Sequence, residues 1–171
     1  MSQTGVITFK GNPMTLAGEA LNVGSPAPAF ELHYADNGLK KLTLEDLKGK
    51  PTILSIVPSL DTPTCATQTK RFNEELAALG DKINAVTVSR DLPFAQARFC
   101  GAENIKIRTA SDYQTHAFGD AYGVTIEELK LLTRAVFVLD SNGKVVYKQI
   151  VSEVTQEPDY APALEALKAA S

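Results

Sequence analysis

The sequence predicts an α/β fold built on a central mixed β-sheet flanked by helices. Three apolar, β-branched segments have the pattern of buried strands and alternate with helical segments, at 51–59, 82–89 and 105–110. A hairpin pattern follows at 134–151, with a strong turn signal at Asn142-Gly143, and the chain closes on a helical pattern at 157–171. Strand–helix alternation produces parallel strands and a hairpin adds antiparallel ones, so one sheet should contain both.

Two hairpin patterns open the chain, over residues 5–18 and 31–44. The first has two short strands around a Gly-Asn-Pro turn, and residues 1–18 are predicted to form an N-terminal β-hairpin extension of a single domain, 1–171. The second bends at Asn37-Gly38. Thr43 and Asp46 then have the spacing of a capping box, which predicts a short helix directly after the hairpin.

Three further helical patterns lie between the strands, over 63–79, 91–101 and 113–123. The first is predicted to end at Gly80, and the second has Pro93 near its start and Gly101 just past its end. The third has the weakest helical periodicity. The final helix presents one apolar face to the core, formed by Tyr160, Leu164 and Leu167.

Composition restricts the classes of function. The 171 residues carry a formal net charge of −3 with basic residues spread along the chain, which gives no electrostatic case for binding nucleic acid or anionic membranes. The first ten residues lack the pattern of a secretory signal, and the longest apolar run is interrupted by Arg134, so a soluble, cytoplasmic protein is expected. Two cysteines are too few for a disulfide scaffold, and intracellular cysteine pairs are more often catalytic, redox-active or metal-binding.

Cys65 follows a helix-start pattern. Thr62 suits the N-cap and Pro63 the first helical position, which places Cys65 in the first turn. Unpaired N–H groups and the positive end of the helix dipole favour a thiolate there. Cys65 also belongs to the helix stripe that faces the core, so we expect it at the floor of a pocket. A small buried hydrophobe is the other interpretation of the same position.

Cys100 directly precedes Gly101 and is therefore predicted at a helix C-terminus, where the dipole disfavours a thiolate. One activated and one unactivated thiol suit an attacking and a resolving cysteine, although packing alone would also explain Cys100. A metal site would have to combine both cysteines with His33 and His116, whose spacing matches no common metal-binding pattern, so none is expected. Each histidine is instead expected at the surface or at an interface.

Arg134 interrupts an apolar stretch just before a predicted strand. A cation in such a place is costly without a partner, which favours a nearby anion such as the Cys65 thiolate. The alternative is a guanidinium that extends back to solvent at the end of the strand.

The segment from Pro58 to Cys65 contains the pattern P-x-x-x-T-x-x-C, with Thr62 as its threonine. This pattern and the blocks SLDTPTCATQTKRFNEE, DLPFAQARFCGAE, RAVFVLD and EPDY resemble the peroxiredoxin family, and within it the atypical two-cysteine thiol peroxidases of bacteria. The similarity runs along nearly the whole chain. Pro63-Thr64 stands where a Gly-Val pair is common in the family, at positions that are not catalytic.

The resemblance implies a thioredoxin-like fold and a role for each of five residues. Cys65 would be the peroxidatic cysteine and Cys100 the resolving cysteine of the same chain. Thr62 would hydrogen-bond the peroxide and the thiolate, Pro58 would shield the thiolate from solvent, and Arg134 would be the active-site arginine. A disulfide needs Cα atoms within about 4.4–6.8 Å, so cysteines further apart on two helices would require one helix to unwind.

The resemblance also implies an activity. Hydrogen peroxide or an organic hydroperoxide would oxidise the first cysteine to a sulfenic acid, an intramolecular disulfide would form, and thioredoxin would reduce it. The resemblance implies no metal, flavin or haem cofactor, and it implies a homodimer. The alternative is a non-catalytic redox sensor or chaperone-like binder that uses the same disulfide as a switch.

Overall fold

The computed structural model describes residues 2–171, which form eleven strands and five helices. The strands are β1 Ser2–Phe9, β2 Asn12–Ala17, β3 Glu31–Ala35, β4 Leu39–Thr43, β5 Thr52–Ile56, β6 Asn84–Ser89, β7 Arg108–Ser111, β8 Thr125–Ile126, β9 Leu131–Leu132, β10 Ala135–Leu139 and β11 Val145–Ile150. The helices are α1 Leu44–Leu47, α2 Pro63–Leu76, α3 Pro93–Glu103, α4 Ala117–Ala121 and α5 Tyr160–Ala169. None of these helices combines the length and apolar character that crossing a bilayer requires.

The central sheet has seven strands in the order β11-β10-β5-β6-β7-β3-β4. Strands β5, β6 and β7 are parallel because α2 and α3 carry the chain back between them. The remaining pairs are antiparallel, and β10 and β11 form the predicted hairpin beside β5. All five residues of β5 are buried, as expected for a strand covered on both faces. The predicted α/β fold with a mixed sheet is therefore confirmed.

Alternate residues of the central strands pack on opposite faces of this sheet. Val136 and Val138 of β10 contact the layer formed by α2 and α5, whereas Ala135 and Phe137 belong to the core on the other side. Helix α5 buries Tyr160 and Leu167 as predicted, together with Ala163, while Leu164 is half-buried. The layer formed by α2 and α5 therefore packs on β10, the strand that follows Arg134.

A second, antiparallel sheet has the order β1-β2-β8-β9. The N-terminal hairpin is present, but its turn lies at Lys10-Gly11 and not at the predicted Gly-Asn-Pro, because both residues adopt positive φ and Asn12 continues directly into β2. Met1, part of the predicted extension 1–18, lies outside the described residues. Strands β8 and β9 were not predicted, since two residues each are too short to produce a periodic pattern.

Two helix ends differ from their predictions. Helix α2 ends at Leu76 and continues as a 3₁₀ turn that contains Gly80, with φ of 50°. Helix α3 passes through Gly101 to Glu103 and ends at Asn104, which has φ of 55°. Asparagine adopts the left-handed conformation more readily than most residues and can replace glycine at a helix end. Cys100 therefore lies in the last turn of α3 and is not its final residue.

Candidate active site

The loop between β5 and α2 brings the Cys65 segment to the end of the central strand. Thr62 is extended, with φ of −106° and ψ of 148°, Pro63 is the first residue of α2, and Cys65 is the third, as the pattern predicts. The Thr62 hydroxyl donates to the carbonyl oxygen of Ser59 at 2.8 Å and does not cap the helix. Among residues 2–171, no side chain caps this helix start, so its first N–H groups stay available.

Two threonines one turn further along α2 bond back to this first turn. The Thr67 hydroxyl donates to the carbonyl oxygen of Pro63 at 3.0 Å, and the Thr69 hydroxyl donates to that of Cys65 at 2.9 Å. Such bonds to the carbonyl four residues earlier slightly weaken a helix. The segment that holds Cys65 is therefore helical but weakly so.

The sulfur of Cys65 is enclosed. Its side chain is 0% exposed and packs in a small apolar cluster with Val57 and Leu60, and Phe99 of α3 packs against that cluster. On another side, Nη2 of Arg134 donates to Sγ at 3.3 Å. Cys65 is thus buried, as one interpretation of the sequence had it, and it contacts the cation that the interpretation of Arg134 placed beside it.

Arg134 is itself buried and directly precedes β10. Its Nη1 donates to Oε1 of Gln68 at 3.0 Å and its Nε donates to the carbonyl oxygen of Val154 at 2.7 Å. With the bond to Cys65, all three guanidinium nitrogens have acceptors. The alternative in which Arg134 extends back to solvent is wrong.

Charge balance explains what this arrangement favours. A buried guanidinium is costly unless an anion compensates it. Within residues 2–171 the ion pairs of at most 4.0 Å involve other basic groups, and no carboxylate pairs with Arg134. The Cys65 sulfur is the group that the remaining guanidinium nitrogen, Nη2, contacts.

Gln68 is a site residue that the sequence interpretation missed. It is fully buried on α2, one turn after Cys65, and donates from Nε2 to Oγ of Ser55 on β5 at 2.8 Å. This bond orients the amide so that its oxygen faces Arg134. The spacing of three residues from Cys65 was the available signal, because residues three apart share a helix face.

A pocket of about 240 Å³ opens beside this pair. It is lined by Phe9, Lys10, Pro58, Thr62, Pro63, Thr64, Arg134, Val154 and Thr155. Three of the predicted site residues, Pro58, Thr62 and Arg134, therefore meet at one cavity. Cys65 was expected at the pocket floor, but it is fully buried and does not line the cavity.

Cys100 occupies a different environment. It is half-buried in the last turn of α3, and its Sγ lies 3.6 Å from Oγ1 of Thr109 on β7. Burial raises the pKa of the Cys100 thiol, and the hydrogen bond with Thr109 opposes this only in part. The neutral thiol is thus favoured as predicted, but burial is the cause and the helix dipole is not required.

Both cysteines are free thiols, and their sulfurs have different neighbours. Phe99 packs against the apolar cluster that contains Cys65, while the adjacent Cys100 contacts β7. Helices α2 and α3 are further tied by an ion pair between Lys70 and Glu103 at 3.0 Å. In this structure the two thiols therefore lie in different packing environments.

Asp91 fastens the loop before Cys65 to the end of β6. Its carboxylate accepts hydrogen bonds from Oγ of Ser59 at 2.7 Å, from the N–H of Leu60 at 2.8 Å and from Oγ of Ser89 at 2.7 Å. The sequence contained only a weak signal, an aspartate shortly after a buried strand. These bonds hold the start of the Cys65 loop independently of Arg134.

The two histidines lie apart from this site. His33 was expected at the surface or at an interface, and this is wrong, because it is buried on β3 with Nε2 3.6 Å from Glu31. His116 is exposed. Within residues 2–171, no three histidine, cysteine or acidic side chains form a group that could hold a metal ion.

Comparison with known proteins identifies close relatives. The family model described as Redoxin matches residues 22–164. A thiol peroxidase of Bacillus subtilis is 56% identical over 164 residues, which cover 95% of this chain and 96% of the relative. A thiol peroxidase of Halalkalibacterium halodurans is 53% identical over 165 residues, 96% of this chain and 98% of the relative.

Solved structures have the same fold. A peroxiredoxin-like protein from Aquifex aeolicus superimposes with a TM-score of 0.88 at 39% identity, over 98% of this chain and 99% of that one. A thiol peroxidase from Chromobacterium violaceum superimposes with a TM-score of 0.82 over 95% of each chain. Its identity of 18% makes it a comparison of fold alone.

Proposed function

Since this chain belongs to the Redoxin family and is a thiol-based peroxidase of the peroxiredoxin type, we propose that Cys65 is its peroxidatic cysteine and Cys100 its resolving cysteine. The contact of 3.3 Å between Nη2 of Arg134 and Sγ of Cys65 carries the proposal. The two other proposed site residues, Pro58 and Thr62, line the pocket next to this contact.

In the first step the Cys65 thiolate attacks the terminal oxygen of a hydroperoxide. An S–O bond forms and the O–O bond breaks, so that sulfur is oxidised to a sulfenic acid and the peroxide is reduced. The leaving alkoxide or hydroxide takes a proton and departs as alcohol or water. Arg134 stabilises the thiolate before the attack and the charge that develops on oxygen during it.

The pocket residues orient the peroxide and exclude water. Because the Thr62 hydroxyl donates to Ser59, its lone pairs are free to accept the O–H of a hydroperoxide. The uncapped N–H groups at the start of α2 face developing negative charge. Pro58 covers the thiolate without offering it a hydrogen bond. The enclosed sulfur implies that a small outward shift of the pocket floor admits the peroxide.

In the second step the Cys100 sulfur attacks the Cys65 sulfenic acid, an S–S bond forms and water leaves. The raised pKa of Cys100 keeps it a thiol while it waits, which protects it from direct oxidation. Because Cys100 is half-buried and Phe99 packs against the cluster around Cys65, we expect local unwinding to precede this step. An external dithiol then reduces the disulfide by exchange and restores both thiols.

We further propose thioredoxin as the dithiol, hydrogen peroxide and organic hydroperoxides as substrates, a homodimer as the assembly and the cytoplasm as the location. The relatives' printed names, thiol peroxidase, support a thiol reductant. The chain is proposed to be one domain, since the matched region 22–164 includes every strand of the central sheet.

A coupled assay with thioredoxin, thioredoxin reductase and NADPH tests the proposal. Wild type should oxidise NADPH continuously when hydrogen peroxide or cumene hydroperoxide is added. Cys65→Ser should abolish turnover, and Cys100→Ser should react once and then accumulate oxidised Cys65. Stoichiometric oxidation without turnover would instead favour the redox sensor, and normal turnover by Cys65→Ser would contradict the assignment of the peroxidatic cysteine.

A further inference from the structure

Glu153 lies in the segment after β11 and is the acceptor for several groups of the N-terminal hairpin. Its Oε1 accepts from the N–H of Gly11 at 2.8 Å and from Oγ1 of Thr8 at 2.9 Å. Its Oε2 accepts from the N–H of Lys10 at 3.2 Å, and from the N–H and the hydroxyl of Thr155 at 2.9 and 2.7 Å. One carboxylate thus joins the tip of the hairpin to the 152–155 segment.

Backbone bonds make the same connection next to this carboxylate. The N–H of Thr8 donates to the carbonyl oxygen of Ser152 at 2.7 Å, and the N–H of Val154 donates to that of Thr8 at 2.9 Å. The hairpin and the 152–155 segment therefore run side by side as a short ladder. Glu153 closes the end of that ladder, where the hairpin turns.

The segment fastened in this way touches Arg134 and the residue that precedes Cys65. The carbonyl oxygen of Val154 accepts Nε of Arg134 at 2.7 Å, and that of Thr155 accepts the hydroxyl of Thr64 at 3.2 Å. Thr64 directly precedes Cys65 in the first turn of α2. Four residues that Glu153 or its neighbours hold in place also line the pocket: Phe9, Lys10, Val154 and Thr155.

From these contacts we propose that Glu153 is a positioning residue that holds the outer wall of the hydroperoxide pocket and thereby sets how well bulky organic hydroperoxides bind. The inference rests on the proposed function of the Cys65 site. Glu153 bonds none of the reacting atoms itself. It acts through Phe9 and Lys10 on one side of the pocket, and through Val154 and Thr155 on the other.

The hydrogen bonds that Glu153 accepts from the hairpin and from Thr155 form a clasp between the two segments. The number and kind of donors indicate that its carboxylate is charged and fixed in position. Three of its partners are backbone N–H groups, which form a concave site for an anion. Hydrogen bonds from Thr155 and then Gly11 lower the pKa of Glu153 to about 2, so the carboxylate stays charged at neutral pH. An amide in its place would turn its NH₂ group toward donors and lose at least one side of the clasp.

Hydrogen peroxide and cumene hydroperoxide differ in how much of the pocket wall they touch. The small substrate needs only the groups next to the sulfur, whereas the aryl group of the large one must rest on the outer wall. Loosening the wall should therefore raise KM for cumene hydroperoxide and leave the reaction with hydrogen peroxide less affected. This separates a positioning role from general destabilisation, which would reduce both activities alike.

The test compares wild type, Glu153→Gln and Glu153→Asp, with the exposed Glu165→Gln on α5 as the matched control. We expect kcat/KM for cumene hydroperoxide to fall roughly tenfold relative to that for hydrogen peroxide in Glu153→Gln, mainly through KM. Glu153→Asp should restore part of the ratio, and Glu165→Gln should match wild type. Thr8→Val, which removes one donor, should shift the ratio in the same direction by less and serves if Glu153→Gln does not fold.

An unchanged ratio in Glu153→Gln and Thr8→Val, with an active wild type, would overturn this inference alone. An equal shift in Glu165→Gln would also overturn it, because the effect would then not depend on the clasp. If wild type reduces neither peroxide while it is folded, the proposed function fails and this inference fails with it.

Discussion

Arg134 and Cys65, which are 69 positions apart in the sequence, meet inside the protein with Nη2 3.3 Å from Sγ. The guanidinium has no solvent to balance its charge, and the sulfur has no other cation in contact within the described chain. The pair therefore places a buried cation directly against the Cys65 sulfur, and Arg134 also lines the adjacent pocket.

Replacement of Arg134 should reduce the reactivity of Cys65 toward hydroperoxides. Arg134→Ala is expected to lower peroxidase kcat/KM by about 10²–10³-fold, because a charged donor aimed at the reacting centre is lost. Arg134→Lys should recover only part of the activity, since an ammonium cannot reach Gln68, Val154 and Cys65 at once. The thiolate fraction, followed by ultraviolet absorbance, should fall in both variants. The exposed Arg98→Ala is the control, and equal loss there would remove Arg134 from the site.

Gln68 should matter through the orientation of Arg134. Gln68→Met keeps the length of the side chain and removes its bonds to Arg134 and Ser55. We expect kcat/KM to fall about tenfold, because hydrogen bonds to charged groups contribute about 1.5–3 kcal/mol and rearrangement recovers part of that. The rate of Cys65 oxidation, followed by stopped-flow mixing with peroxide, measures this change. The exposed Gln114→Met should be silent, and unchanged oxidation in Gln68→Met would show that Arg134 needs no second anchor.

Phe99 should control access between the two cysteines. Phe99→Ala is expected to speed alkylation of Cys65 by iodoacetamide in a Cys100→Ser background, because it removes an aromatic side chain that packs against the cluster around the buried sulfur. In the native background it should also speed disulfide formation after a peroxide pulse. Phe94, 59% exposed on the same helix, provides the matched control. Equal rates in Phe99→Ala and Phe94→Ala would mean that Phe99 does not limit access to Cys65.

Glu153 should make stability depend on acid pH. Its folded-state pKa of about 2 lies below the ordinary 4.5, so its contribution is present above about 4.5 and is lost as pH falls toward about 2. Wild type should therefore lose more unfolding free energy than Glu153→Gln between about pH 6 and about pH 3, as measured by urea denaturation. Parallel losses in the two proteins would show that the carboxylate is not held as the contacts indicate.

The sequence predicted the central strands well because their burial is continuous. The run from Thr52 to Ile56 is apolar or β-branched apart from Ser55, and only a strand covered on both faces suits such a run. Helix starts were also predictable, since Pro63 and Pro93 occur at first helical positions. The end of α3 was not predictable. Gly101 is a local signal for a helix end, but the helix continues past it and ends at Asn104.

The candidate site was only partly predictable for a related reason. Cys65 and Thr62 belong to one short motif, and their positions follow from local helix rules. Gln68, Asp91 and Glu153 act through bonds to segments far away in the sequence, and a polar residue bears no mark of such a partner. The complete burial of Cys65 was likewise not predictable, because Arg134 and Phe99, which pack around it, come from segments far away in the sequence.

The hydroxyls of Thr67 and Thr69 lower the free energy needed to unwind the start of α2. Each hydroxyl bonds a carbonyl oxygen that also accepts a backbone hydrogen bond of the helix. When that backbone bond breaks, the carbonyl oxygen still has the hydroxyl as a partner. Pro63 has no N–H to lose, and the next N–H groups were uncapped from the outset. Opening the turn around Cys65 would therefore be a local event confined to a few residues, and the hydrophobic layer of Phe72 and Leu76 further along the helix could stay docked throughout a catalytic cycle.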